Sequence, residues 1–129
     1  MKRLILALLI SLLFPLSVIA APTCAVGTSG VAPTATISWT APTLNTDGTP
    51  IATPLTYVLY QGTTSGAETA LPTVISTSPI TLTTGLSSGT TVYWYLVVKD
   101  ANGTFSVPSN EVCKTFPPGV PKAVTITIS

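Results

Sequence analysis

The sequence contains no histidine, and charged residues make up only 7% of its 129 positions. Without histidine there is no Ser-His-Asp triad, no imidazole base and no His-ligated metal site. Cysteine is scarce as well. Two residues, Cys24 and Cys113, cannot build a zinc cluster. Five Lys and Arg stand against four Asp and Glu, a formal charge of +1. That balance carries no electrostatic footprint for nucleic acid. The carboxylates Asp47, Glu68, Asp100 and Glu111 are scattered, so neither a two-carboxylate hydrolytic site nor an acidic calcium cluster is expected. Asp47 and Asp100 stand beside Gly48 and before Asn102-Gly103, which are turn contexts. Gly27–Gly30 lacks the lysine and following helix of a phosphate loop. A non-enzyme without metal or cofactor is the expectation. Helical periodicity is also missing. After residue 21 no window places apolar residues at i, i+3, i+4 and i+7 over three turns.

What the sequence does have is unevenly spread. Met1-Lys2-Arg3 is a basic head, Leu4–Phe14 an apolar run, and Val18-Ile19-Ala20 a small-residue exit. That is the layout of a secretory signal peptide over residues 1–20, cleaved after Ala20. The other reading is a retained membrane anchor, although a bilayer needs about 20 apolar residues and Pro15 interrupts this run. Removing the leader leaves Lys99, Lys114 and Lys122 against four carboxylates, one negative charge in excess. Solubility then rests on hydroxyls. Thr is the commonest residue of the mature part, and a polar β-branched residue suits the solvent face of a strand.

Twelve prolines and nine glycines punctuate the chain, and several short strands at such spacing indicate a sandwich or barrel. Strands are predicted over 24–27, 34–40, 55–61, 71–77, 80–84, 91–100 and 110–116. Alternation turns Ala35, Ile37 and Trp39 inward, then Leu55, Tyr57 and Leu59, then Ile80 and Leu82, then Val92, Trp94, Leu96 and Val98, and finally Val112. Leu86 closes a corner after the fifth strand. The core is therefore expected around Trp39, Tyr57, Leu59, Leu86, Trp94 and Leu96. Ala101-Asn102-Gly103-Thr104 reads as a hairpin-type turn.

Several segments together resemble the fibronectin type III family. Ile37-Ser38-Trp39-Thr40-Ala41-Pro42, Asp47-Gly48-Thr49-Pro50-Ile51 and Tyr57-Val58-Leu59-Tyr60 look like its first half. Leu82–Thr90 looks like its middle. Asp100-Ala101-Asn102-Gly103 and Ser106–Val112 look like its end. The bacterial and bacteriophage branch is the nearest in flavour. The resemblance implies an all-β, immunoglobulin-like β-sandwich of seven antiparallel strands over residues 21–116. Strands A, B and E would form one sheet, and C′, C, F and G the other. Residues 117–129 follow as a Pro-rich spacer and a C-terminal strand. One departure stands out: the tyrosine-corner position holds Val92, and Tyr93 sits one residue later, where it should face outward. No Arg-Gly-Asp triplet is present.

The resemblance places Cys24 on strand A and Cys113 on strand G, which can approach at one edge. Two cysteines in a secreted chain most often pair, so an intramolecular bridge is favoured over free thiols or a bridge between chains. Two surfaces are candidates for binding. One is the outward face carrying Val58, Tyr60, Tyr93, Tyr95 and Val97, whose tyrosines could stack on sugars or pack on a protein. The other is the loop set 42–54 and 100–108 at one pole, which includes the formal glycosylation sequon at Asn102. The segment Ala123–Ser129 alternates as a strand does. It pairs with its own domain, stays disordered, or adds to a neighbour's sheet edge. The expected function is a secreted, periplasmic or cell-surface binding or adhesion module for protein or carbohydrate. It contacts a membrane only if residues 1–20 are retained. The alternative is a structural subunit of an extracellular fibre or virion surface, a homo-oligomer assembled through residues 123–129.

Overall fold

Prolines set where strands stop in this chain, and hydroxyls complete what the prolines interrupt. The computed structural model describes residues 21–121. The leader over 1–20 and the strand expected over 123–129 lie outside the described residues. Seven strands are present: β1 (Ala25–Val26), β2 (Ala35–Ile37), β3 (Thr56–Gly62), β4 (Thr69–Ile75), β5 (Ile80–Leu82), β6 (Thr90–Lys99) and β7 (Val112–Phe116). They form a five-stranded sheet in the order β1-β7-β6-β3-β4 and a two-stranded sheet of β2 and β5. No helix occurs among the described residues, and none is long and apolar enough to cross a membrane.

Two expectations about the sheets need correction. The first strand does not join β2 and β5. It lies beside β7, and that pair is parallel, with Ala25 opposite Lys114 and Val26 opposite Thr115. All other strand pairs are antiparallel. The cause is local. The Cys24–Cys113 disulfide holds the residue before β1 against β7, with Cα atoms 4.6 Å apart. Gly27 N–H then donates to the Thr115 carbonyl at 2.8 Å. The small sheet consequently has two strands rather than three.

The second correction concerns strand length. β2 ends at Ile37 rather than Thr40. Opposite it, Pro79 has no N–H to give. The Ser78 hydroxyl takes over, accepting from Trp39 N–H and donating to the Trp39 carbonyl, both at 2.9 Å. Trp39 therefore lies past the strand. It is half-buried, with its ring 5.0 Å from that of Tyr57. On β4, Pro72 falls in a register shift opposite Leu59, at the outer edge of the large sheet. Proline at an edge and in a bulge leaves no central ladder broken.

The two sheets share one apolar core. Leu59 is 0% and Trp94 2% exposed, packed with Ala35, Ile37, Tyr57, Ile75, Val92 and Phe116. Leu86 and Leu96 are partly buried against this cluster. Val112, expected inward, is 43% exposed. Its register opposite Trp94 does place it on the core side. Three-residue β2 is too short to cover it.

The corner before β6 has its own solution to the missing tyrosine. Gln61 and Trp94 are register partners. The indole N–H donates to Gln61 Oε1 at 2.9 Å, and Gln61 Nε2 donates to the Gly85 carbonyl at 3.1 Å. The side-chain amide thus ties the corner to the core, a task performed by a tyrosine hydroxyl in immunoglobulin-type domains. Gly85 has φ +70°, and a Cβ there would stand 2.9 Å from Gln61 Nε2.

Candidate functional site

The outward tyrosines occupy one face of the large sheet. Tyr60 on β3 and Tyr95 on β6 are directly opposite, and their rings stack at 4.6 Å between centroids with 13° between planes. Tyr93 lies opposite Gly62 on one side and Cys113 on the other. All three are half-buried. Val97 is on the same face but buried, flanked by the segment that bonds to Leu96 and Val98. Burial raises the Tyr95 phenol above its ordinary pKa, with the neighbouring Tyr60 and Glu68 adding to the effect. Each ring of the stack covers one face of the other, which removes those faces from any ligand. Beside this face Glu111 accepts from the Ser65 hydroxyl at 2.8 Å and from Gly66 N–H at 3.1 Å. A hydrogen bond with the Glu68 side chain, opposed by desolvation and aided by the Ser65 and Gly66 donors, lowers the Glu111 pKa.

The loop pole is built differently. Between β2 and β3 the chain forms a small hairpin, with Leu44 bridged to Pro50. Asp47 caps its tip by accepting from the Thr49 hydroxyl at 2.7 Å and Thr49 N–H at 3.0 Å. Those two bonds lower the Asp47 pKa. Asn45 adds bonds to Thr49 Oγ1 and the Pro50 carbonyl. After β6, Asp100 Oδ1 accepts from Thr104 N–H at 2.8 Å, and Gly103 turns the chain with φ +87°. Ala101 N–H donates to the Ala52 carbonyl at 3.2 Å and joins the two loops.

Between the joined loops lies a cleft of about 400 Å³. Ile51 and Val98 line it, and Leu44, Phe105 and Val107 form its rim at 56%, 57% and 80% exposure. Lys99 Nζ stands 5.4 Å from the Phe105 ring centroid. Contiguous exposed apolar side chains with a polar rim mark contact surfaces. The sequence marks the loops as a pair but does not single out these three residues. The available signal was an apolar residue inside each run of turn formers, Leu44 after Pro42-Thr43 and Phe105 after Asn102-Gly103-Thr104. Among the described residues no group of three or more His, Cys, Asp or Glu could hold a metal ion.

Known proteins fit this geometry at the level of fold. The crystal structure of an Fn3-like protein from Clostridium thermocellum superposes with a TM-score of 0.50. It shares 27% identity, and the match covers 76% of this chain and 96% of that one. The chain has an Fn3-like fold. No protein-family model and no curated protein matches it.

Proposed function

We propose that this chain is a secreted, non-catalytic binding module of fibronectin type III type, an immunoglobulin-like sandwich with one parallel strand pair. It contacts a protein or glycan through the loop pole. The observation that carries this reading is the cleft of about 400 Å³ with Leu44, Phe105 and Val107 held out of the core at its rim. Exposing three large apolar side chains costs solvation, and the hydrogen bonds at Asp47, Asn45 and Asp100 hold them in that position. A pre-ordered loop loses little entropy on binding. The mutually stacked tyrosines offer less free ring area, so the tyrosine face is the secondary contact. The Cys24–Cys113 bridge supports an oxidising location outside the cytoplasm.

A panel of extracellular proteins and a glycan array, probed with wild type and with Leu44→Ser/Phe105→Ser, tests this reading. Binding by wild type that weakens at least tenfold in the double variant, with Tyr60→Ser near wild type, is the expected result. A blank on both surfaces sinks it. One observation favours a structural-subunit reading: among the described residues no strand pairs with the outer edge of β2. That reading requires assembly that grows with concentration.

A further inference from the structure

β2 pairs only with β5, so among the described residues no strand covers its other side. In an antiparallel pair, alternate residues point their N–H and C=O groups away from the partner. Such an edge is a template for another strand. The edge strand β4 is blunted by Pro72 and a register shift. β2, with the sequence Ala35-Thr36-Ile37, has neither proline nor charge. Along it runs a groove of about 460 Å³, between β2 and the β1–β7 edge. Ile37, Trp94 and the exposed Val112 line it. The groove is open because β1 lies on β7 instead of on β2.

The chain carries a segment of matching sequence pattern. In Ala123–Ser129, Val124, Ile126 and Ile128 alternate with Thr125, Thr127 and Ser129. Thr34–Ser38 has the same order, with Ala35 and Ile37 buried between exposed hydroxyl residues. The described chain also leaves at the right place. The Ser29 hydroxyl donates to the Pro118 carbonyl. Pro117 shares a small cleft with Pro33 and Thr34, the residue that precedes β2. The exit is therefore at the mouth of the groove. At about 3.3 Å per residue, residues 122–129 reach about 26 Å, well beyond the length of a three-residue strand.

We infer that residues 123–129 add to the free edge of β2 within the same chain, turning Val124, Ile126 and Ile128 into the groove over Trp94 and Val112. Entry at the Thr34 end makes the added strand run parallel to β2. The occupant is the chain's own segment because only residues 119–122 separate it from the anchored Pro118. Such a short tether gives an effective concentration in the millimolar range, which a second copy reaches only at comparable protein concentration. This inference is independent of the loop-pole reading, since the groove and the cleft share no residue.

Hydrogen exchange on the mature protein tests it, comparing the full chain with a form ending at Pro121. Expected is a monomer in which the β2 amides that do not bond to β5 exchange at least tenfold faster after deletion. Trp94 fluorescence should shift with them. Ile126→Asp/Ile128→Asp keeps the chain length and should reproduce the loss, whereas Thr127→Asp, on the outer face, should not. Unchanged β2 exchange in both the deletion and the double variant overturns the inference. So does protection that rises with protein concentration while the full chain self-associates, since that assigns the segment to a second copy.

Discussion

Gln61 is the residue on which most depends for its size. Its amide satisfies the buried Trp94 indole N–H and holds the Gly85 carbonyl at once. Gln61→Leu keeps the volume but leaves the indole unpaired at 2% exposure. An unsatisfied buried donor costs about 1–3 kcal/mol. Urea denaturation should show that loss with an unchanged slope, and near-UV dichroism should report a changed Trp94 environment. A variant as stable as wild type removes Gln61 from this role. Asp47 gives a second prediction at the same scale. The Thr49 hydroxyl and N–H hold its folded pKa below the ordinary carboxylate value. The stabilisation is therefore fully present above the unfolded pKa of about 3.9 and disappears as pH falls through the lower folded value. Thr49→Val removes the larger of the two donors. In an NMR titration the Asp47 midpoint should rise in that variant, and a midpoint that does not move refutes the assignment. Neither Gln61 nor Thr49 was visible as important in the sequence, because their roles depend on partners 24 to 33 residues away in one case and on the loop conformation in the other.

At the scale of elements, the recurring device is a serine beside a proline. Ser78 completes the β2 ladder next to Pro79. Ser106 and Ser109 do the same for β6 on either side of Val107-Pro108. The Ser106 hydroxyl accepts from Val98 N–H at 3.1 Å, and that of Ser109 from Leu96 N–H at 3.0 Å. Their own N–H groups donate to the carbonyls of the same two residues. A segment that proline excludes from regular strand pairing still occupies the edge of β6. Ser106→Ala/Ser109→Ala should cost about 1–3 kcal/mol in total, since each bond contributes about 0.5–1.5 kcal/mol. Amide exchange at Leu96 and Val98 should accelerate, while that at Val92 and Trp94, which pair with β7, should not. Uniform acceleration along β6 contradicts a local role. The strands themselves were legible from alternation and turn formers, most clearly β3 and β6, which moved by a single residue at each end. β2 is shorter than its alternation suggests because Pro79 acts from its partner's side, and β7 because Pro108 and Ser109, in the segment before it, hold that segment to β6 through a serine hydroxyl instead of the strand ladder. A pattern read one segment at a time does not carry that effect.

For the whole molecule, the decisive feature is one covalent link between the two ends of the described chain. β1 has two residues, both exposed, so burial contributes little to its place. It meets β7 in only two register pairs. The Cys24–Cys113 bridge, with 89 residues of separation, keeps it there. The pairing of the cysteines followed from compartment and resemblance. The parallel placement of β1 did not, because an exposed two-residue strand carries no pattern that selects one sheet over the other. Loop-closure entropy for a ring of this length corresponds to about 4–5 kcal/mol, an upper figure because strain and residual structure reduce it. Against a total stability of about 5–15 kcal/mol, that is a large share for a domain with so little charge and so small a core. Cys24→Ser/Cys113→Ser should therefore lower the denaturation midpoint substantially. In the folded fraction, exchange at Lys114–Phe116 should rise first, because β7 loses the neighbour that the bridge holds against it. The loop-pole cleft contains neither cysteine nor any residue of β1 or β7, so partner binding by the folded fraction should be kept. If the double variant is as stable as wild type and β7 exchange is unchanged, the first strand is held by its own contacts. The absence of β1 from the edge of β2 would then need a cause other than the disulfide.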